Sequence, residues 1–217
     1  ASKGTTILDI GANIGHHSLY FASFGKETHA FEPLGVLAKE IARKKQKNNL
    51  KLIHIHEIAL GEKNQTMEFF PPSSNNTGTG SFVNVNFNTK PILIKVFNGD
   101  QYIAQKKIGD IGLIKIDVEG FEIQVLKGLK QTLSANRPIV FFEWSQENSS
   151  ALKEQSKIEK AAGLFPENYK FYSFFPAKPY LAIFSNQLPR LIKLGSHLVD
   201  GNLVAMPGEL AEFLRTK

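Results

Sequence analysis

The stretch from Thr5 to Gly15, TTILDIGANIG, constrains the fold of this chain more than any other. It begins with a β-branched and apolar run, typical of a strand buried on both faces, and continues into a turn that carries two glycines. The next segment, His16 to Phe24, has small and apolar residues at helical spacing. A glycine turn lets a ligand lie against bare main chain, and a helix N-terminus offers it unpaired N–H groups. The stretch therefore predicts a nucleotide-type cofactor site.

The length of 217 residues and the ordinary apolar and charged fractions predict one globular domain, residues 1–217. The absence of cysteine excludes disulfides and thiolate metal sites. No apolar run is long enough to span a membrane and no signal-peptide pattern opens the chain, so we expect a cytoplasmic protein. The first strand begins so close to Ala1 that the chain is also consistent with a fragment of a longer protein.

A net charge of +6 raises the question of a nucleic-acid or membrane partner. Much of the positive charge lies on and after one predicted helix, in Lys39, Arg43, Lys44, Lys45, Lys47 and Lys51. No aromatic residues are interleaved with these positions, and nothing in the sequence resembles a nucleic-acid-binding module. We interpret this segment as a solvated outer helix and expect no nucleic-acid partner.

The first part of the chain is predicted to alternate strands and helices, and the segment that follows it is predicted to lack helices. Strands are predicted over Lys26–Phe31 and Lys51–Ile58, with a helix over Leu34–Gln46 between them, which indicates a parallel sheet in an α/β fold. From Gly61 to Ile103 no helix is evident, and we interpret this segment as a strand-rich insertion. Its tract Pro71–Gly80, PPSSNNTGTG, predicts a mobile loop, either functional or an inert surface loop.

Regular alternation resumes at Ile111 with the segment IGLIKIDVEG, a strand that ends in acids. The pattern then predicts, in order, a helix over Phe121–Leu133, a strand over Arg137–Trp144, a helix over Ala151–Ala162, strands over Lys170–Phe175, Leu181–Phe184 and Leu203–Met206, and a short helix over Leu210–Leu214. The predicted strands bring together a set of acids at their carboxyl ends: Asp9, Glu32, Asp117, Glu119 and Glu143. Ligands of open α/β sheets bind at that edge.

Glu32 follows the glycine turn at the distance expected of an acid that binds a ribose diol, which suits any nucleotide-like cofactor. A dinucleotide brings two phosphate charges, and the turn lacks the middle glycine that admits a pyrophosphate. S-adenosylmethionine has no phosphate and carries a sulfonium cation, which acids ~4 Å away attract by a few kcal/mol. The residues therefore favour a methyltransferase over a nicotinamide-dependent oxidoreductase.

Five stretches in order along the chain resemble the FkbM family of S-adenosylmethionine-dependent methyltransferases: DIGANIGHHSL at Asp9–Leu19, AFEP at Ala30–Pro33, ALGE at Ala59–Glu62, LIKIDVEGFEIQVLKG at Leu113–Gly128 and RPIVFFEW at Arg137–Trp144. After Trp144 the resemblance is lost, apart from a weak similarity at Asn202–Pro207. It implies a Rossmann-like class I fold, with a seven-stranded, mostly parallel sheet and an antiparallel last strand. It also implies O-methylation of a hydroxyl on a sugar, glycolipid or natural product, hence a small-molecule or carbohydrate acceptor.

The same resemblance assigns roles to individual residues. Asp9, Gly11, Ala12, Asn13, Gly15 and His16 would surround the methionine end of S-adenosylmethionine, Glu32 and Pro33 the ribose, Ile58 and Ala59 the adenine, and Asp117 the amine and the reacting methyl. For Asp9, the alternative is an acid that only supports the glycine turn.

A hydroxyl acceptor must lose its proton, and the candidates for the base are Asp117, Glu119 and Glu143. Asp117 and Glu119 would point to one side of an extended strand, so the three acids could instead hold a divalent cation. His16 and His17 are the reserve candidates. The alternatives to this enzyme are an NAD-type oxidoreductase on the same fold and a binding module that retains the cofactor and transfers nothing.

Overall fold

The computed structural model describes residues 5–71, 90–144, 160–175, 190–193 and 201–212. The strands are β1 (Thr6–Ile10), β2 (Thr28–Phe31), β3 (Ile53–His56), β4 (Ala59–Gly61), β5 (Gln65–Phe69), β6 (Ile92–Asn98), β7 (Ile111–Ile116), β8 (Ile139–Trp144), β9 (Tyr169–Phe175), β10 (Arg190–Lys193) and β11 (Gly201–Pro207). The helices are α1 (His16–Ser23), α2 (Gly35–Lys47), α3 (Gly99–Lys106), α4 (Glu122–Gly128), α5 (Lys130–Asn136) and α6 (Gly208–Ala211).

The main sheet of the described residues has eight strands in the order β10-β9-β11-β8-β7-β1-β2-β3. Strands β3, β2, β1, β7 and β8 are parallel, whereas β11 is antiparallel to both β8 and β9. The predicted Rossmann-like fold with an antiparallel last strand is therefore confirmed. An eighth strand, β10, extends the sheet beyond β9 and was not predicted.

Helices cover both faces of the sheet, which explains why its central strands are so apolar. All five residues of β1 are buried. On one face Ala22 of α1 and Ile41 of α2 pack in a cluster with Ala30 of β2. On the other, Leu8 and Leu126 belong to the largest cluster, which includes residues of α3, α4 and α5. Because both faces are covered, the carboxyl edge of the parallel strands is the place left for a ligand.

The strand-rich insertion forms a second sheet in the order β4-β6-β5. The prediction that no helix occurs between Gly61 and Ile103 is wrong, because α3 begins at Gly99. Asn98 caps this helix by accepting a hydrogen bond from the backbone N–H of Gln101 at 2.9 Å, a local signal that the sequence pattern missed. Most of the predicted mobile loop, 72–80, lies outside the described residues.

The single helix predicted over Phe121–Leu133 is divided into α4 and α5 at Leu129. Gly128 is in close contact with β4, since an added Cβ would lie 1.9 Å from the carbonyl oxygen of Gly61. The carboxylate of Asp100 accepts hydrogen bonds from the backbone N–H groups of Gln131 and Thr132, at 2.8 and 2.9 Å. These bonds satisfy backbone N–H groups in the first turn of α5 that have no partner within the helix. The division between α4 and α5 therefore coincides with contacts from the insertion and from α3.

The C-terminal third is described in pieces. Residues 151–159 of the predicted helix and the predicted strand Leu181–Phe184 lie outside the described residues, while the predicted strands near β9 and β11 are present. The predicted last helix begins earlier than expected, at Gly208. Within the described ranges, no helix is both long and apolar enough to cross a membrane.

Candidate functional site

A cavity of about 480 Å³ opens at the carboxyl ends of β1, β2 and β7. It lies where β1 has β2 on one side and β7 on the other, the switch point at which α/β sheets bind ligands. Eleven of the residues predicted from the sequence line it: Gly11, Ala12, Asn13, His16, His17, Glu32, Pro33, Ile58, Ala59, Asp117 and Glu119. Asp9, Gly15 and Glu143 do not line it. The fold thus brings most of the predicted site into one pocket.

The turn after β1 is pressed against the end of β7. Gly11 has a φ of 79°, and a Cβ at this position would lie 1.9 Å from the carbonyl oxygen of Asp117. The backbone N–H of Asp117 donates to the carbonyl of Ile10 at 3.0 Å. No side chain fits at Gly11, so the two segments meet through bare backbone and form one wall of the pocket.

Glu32 lies at the end of β2 and is held by backbone donors on both sides. Its two carboxylate oxygens accept hydrogen bonds from the N–H groups of Asn13 and Leu34, each at 2.9 Å. The residue is 5% exposed. Burial raises the pKa of its carboxyl to about 7, and the two backbone hydrogen bonds only partly oppose this effect. Glu32 is therefore a fixed, pocket-lining acid whose charge changes near neutral pH.

Lys115 is a site residue that the sequence analysis missed. It is on β7, is 4% exposed, and lines the pocket. Its Nζ lies 3.3 Å from Asp9 Oδ1 and 3.2 Å from Asp117 Oδ2, and it donates to the carbonyl of Gly11 at 3.3 Å. A lone lysine in the otherwise apolar strand IGLIKI is the signal that could have identified it.

Asp9 is fully buried behind the pocket wall, where the hydroxyl of Ser18 donates to its carboxylate at 2.5 Å. Its observed contacts connect β1, α1 and β7, and they match the alternative in which Asp9 supports the turn. Gly15 lies in a similar supporting position, because an added Cβ there would be 3.0 Å from the side chain of Ile41.

The three candidate bases occupy different surroundings. The Asp117 side chain is 42% exposed and paired with Lys115. Glu119 lines the pocket at a left-handed φ of 52°. Glu143, on β8, is outside the pocket lining, and burial followed by the charges of Asp117 and Glu122 raises the pKa of its carboxyl. Glu143 is therefore near the other acids without facing the same cavity.

A shared metal site among these three acids is not supported. Within the part of the chain that the structure describes, three ligand atoms from histidine or acidic side chains come within 4.8 Å of one another only at Glu27, His29 and His54. None of these three residues lines the pocket, and they lie towards the amino ends of β2 and β3.

Glu122 has a structural role that the sequence did not indicate. It is fully buried, and its Oε1 accepts hydrogen bonds from the N–H groups of Val118 and Gly120, both at 3.2 Å. These bonds hold the turn that carries Asp117 and Glu119 into the pocket. Another part of the pocket lining is apolar and includes Leu37, Ile58, Leu60, Phe69 and Phe121.

Comparison with known proteins agrees with this geometry. The sequence profile described as the methyltransferase FkbM domain matches residues 9–163. No curated protein matches the chain significantly. Similar solved structures include a methyltransferase FkbM from Methylobacillus flagellatus KT, with 19% identity and a TM-score of 0.55, covering 93% of this chain and 43% of that one. The chain thus spans less than half the length of that protein.

A second similar structure is the precorrin-6y C5,15-methyltransferase from Geobacter metallireducens GS-15. It is 9% identical to this chain, with a TM-score of 0.51, and the match covers 95% of this chain and 82% of that one. At these identities, the likeness to both structures establishes the fold alone.

Proposed function

Because the chain belongs to the family of methyltransferase FkbM domains, we propose that it binds S-adenosylmethionine and methylates a hydroxyl oxygen of a sugar, glycolipid or natural product. The observation that carries the proposal is Glu32. It is a buried acid at the end of β2, held at the edge of a glycine turn and facing a cavity of about 480 Å³. An ionised carboxylate in that place can accept hydrogen bonds from both hydroxyls of a ribose.

The residues around Glu32 fit the rest of this cofactor. The apolar wall that includes Leu37 and Ile58 suits an adenine ring. The start of α1, at His16, offers backbone N–H groups to a carboxylate. Asp117, at the end of β7, would face the amine of the methionine portion. Lys115 offsets only one of the two negative charges of Asp9 and Asp117, so this trio of side chains retains one net negative charge beside a cationic ligand.

When bound, S-adenosylmethionine supplies a methyl group activated by the sulfonium. The chain must hold the acceptor hydroxyl in line with the carbon–sulfur bond, which contributes up to ~7–11 kcal/mol. As the new carbon–oxygen bond forms and the carbon–sulfur bond breaks, the hydroxyl proton must pass to a base. A placed base contributes ~10²–10⁴-fold. Asp117 and Glu119 line the pocket, and burial followed by the charge of Asp117 raises the pKa of the Glu143 carboxyl.

Titration calorimetry with S-adenosylmethionine and with NAD tests the cofactor, and release of S-adenosylhomocysteine in the presence of hydroxyl-bearing acceptors tests the transfer. We expect binding of the first compound alone, followed by turnover with a sugar-containing acceptor. Binding of NAD instead would favour the oxidoreductase. Tight S-adenosylmethionine binding with no turnover on hydroxyl, amine or carboxyl acceptors would favour a non-catalytic binding module.

A further inference from the structure

A second polar cluster lies at the opposite end of β2 and β3 from the pocket. His29 and His54 are direct partners in the parallel pairing of these strands, and Glu27 precedes β2 by one residue. The imidazole Nε2 atoms of His29 and His54 lie 3.5 and 3.3 Å from the same oxygen of Glu27. Nothing in the proposed methyl transfer uses these three side chains.

From this geometry we propose that Glu27, His29 and His54 bind one divalent transition-metal ion of the zinc type. Zinc takes imidazole nitrogen and carboxylate oxygen at ~2.0–2.1 Å, so two ligands of a tetrahedral ion lie about 3.3–3.4 Å apart. Both observed separations from Glu27 are close to that value. The two nitrogens and the oxygen all lie within 4.8 Å of one another.

The cluster also has the hydrogen-bonded support expected around a metal ligand. The other ring nitrogen of His29, Nδ1, lies 3.0 Å from Nε2 of His56, and Nδ1 of His56 lies 3.1 Å from the hydroxyl of Tyr102. If His29 Nδ1 donates to His56, Nε2 of His29 is left free to bind a metal, and a second-shell partner of this kind fixes the tautomer and ring orientation of the ligand.

The exposure of the three side chains defines the kind of site. His29 is 9% exposed at its side chain, whereas His54 and Glu27 are each 48% exposed. The rings of His29 and His54 are stacked at a centroid distance of 4.7 Å, and a rotation of the exposed His54 side chain would turn its nitrogen towards the ion. Three protein ligands leave a fourth position to water. Because β3 is the edge strand of the main sheet, the ion would fasten this edge to β2.

Cobalt(II) is a suitable probe, since tetrahedral cobalt absorbs visible light strongly. The untagged chain should be treated with EDTA, dialysed and titrated with cobalt(II) chloride, then back-titrated with zinc chloride. We expect one cobalt ion per chain with a tetrahedral spectrum, its displacement by zinc, and a rise in melting temperature with zinc. Loss of a second-shell partner typically weakens metal affinity ~10–100-fold, so the ligand variants His54→Ala and Glu27→Gln should weaken it at least as much.

His17→Ala is the matched control, because it removes an exposed histidine near the pocket and should leave the cobalt spectrum unchanged. His54→Ala is the decisive variant, since its exposed position should allow normal folding, which circular dichroism can verify. A spectrum that is absent from the parent chain, or that persists in both His54→Ala and Glu27→Gln, would overturn the proposal. This outcome is independent of cofactor binding, so it would leave the methyltransferase assignment untouched.

Discussion

The ammonium of Lys115 lies 3.3 Å from the carboxylate of Asp9, and neither side chain has more than 5% of its surface exposed. The facing oxygen, Asp9 Oδ1, has no hydrogen bond of its own among the described residues. Its charge is therefore balanced through space by Lys115. The pair joins β1 to β7 next to the glycine turn. It therefore stabilises the sheet and also holds in place the strand ends that line the pocket.

Replacement of this lysine should be costly for folding. Lys115→Met leaves Asp9 as a buried charge without a cation, and loss of one partner of a buried pair typically costs ~3–5 kcal/mol. Urea denaturation should show this decrease in the free energy of unfolding. Lys127→Met is the control, because its ion pair with Glu62 is on the surface and should contribute at most ~1 kcal/mol. Equal effects of the two substitutions would contradict the interpretation.

Glu32→Gln should weaken S-adenosylmethionine binding without unfolding the protein. The amide keeps the size of the side chain, but its NH2 group cannot accept one of the two backbone hydrogen bonds, and the charge-assisted acceptor for the ribose hydroxyls is lost. A loss of ~1.5–3 kcal/mol lowers affinity by about one to two decades. Calorimetry measures the change, and Glu68→Gln, an exposed acid on β5, serves as the control. An affinity equal to that of the parent chain would show that Glu32 does not bind the ribose.

Cofactor affinity should also depend on pH through the same carboxyl group. Its pKa in the folded protein is about 7, against an ordinary value of 4.5. The ionised form accepts the ribose hydroxyls, so affinity should rise about 10-fold from about pH 6 to about pH 8. Glu32→Gln should flatten this dependence. The same shift contributes stability at low pH, and this contribution is lost as the pH rises from 4.5 to about 7.

The candidate bases can be separated by amide variants. We expect Asp117→Asn, Glu119→Gln and Glu143→Gln to fold, and the variant of the true base to lose ~10²–10⁴ in turnover. For Glu119 and Glu143, cofactor affinity should be retained. If all three variants turn over at near-parental rates with a defined acceptor, the acids are structural, and His16 or His17 becomes the candidate base.

Gly128→Ala should destabilise the protein strongly. The new Cβ would lie 1.9 Å from the carbonyl oxygen of Gly61, and neither backbone can move without disturbing α4 or β4. Overpacking of this kind costs ~1–3 kcal/mol or more. Gly109→Ala is the matched control, since a Cβ there has nothing within 4 Å. Similar melting temperatures for the two variants would show that the α4–β4 contact adapts more easily than its geometry indicates.

The order of the main strands and helices could be predicted because each one carries a local signal. The apolar run of β1, Pro33 before α2 and the acids at strand ends are all visible in the sequence. The pocket followed from them, since the carboxyl ends of parallel strands meet at one edge.

The features that were missed depend on contacts between distant segments. Lys115 is a single polar position in an apolar strand, and its partners are fixed only when β1 and β7 pair. The break at Leu129 accompanies contacts with Gly61 and Asp100, which no helical periodicity reveals. The pairing of His54 with Glu27, 3.3 Å apart, likewise depends on the register in which β2 and β3 pair.

The bond between Lys115 and Gly11 joins positions 104 residues apart. Pairings of such long range are slow to form, because the loop entropy is lost before the contact stabilises it. We therefore expect the contact between Gly11 and the end of β7 to form late in folding. The first appearance of ligand affinity during refolding should therefore report the time at which β7 pairs with β1.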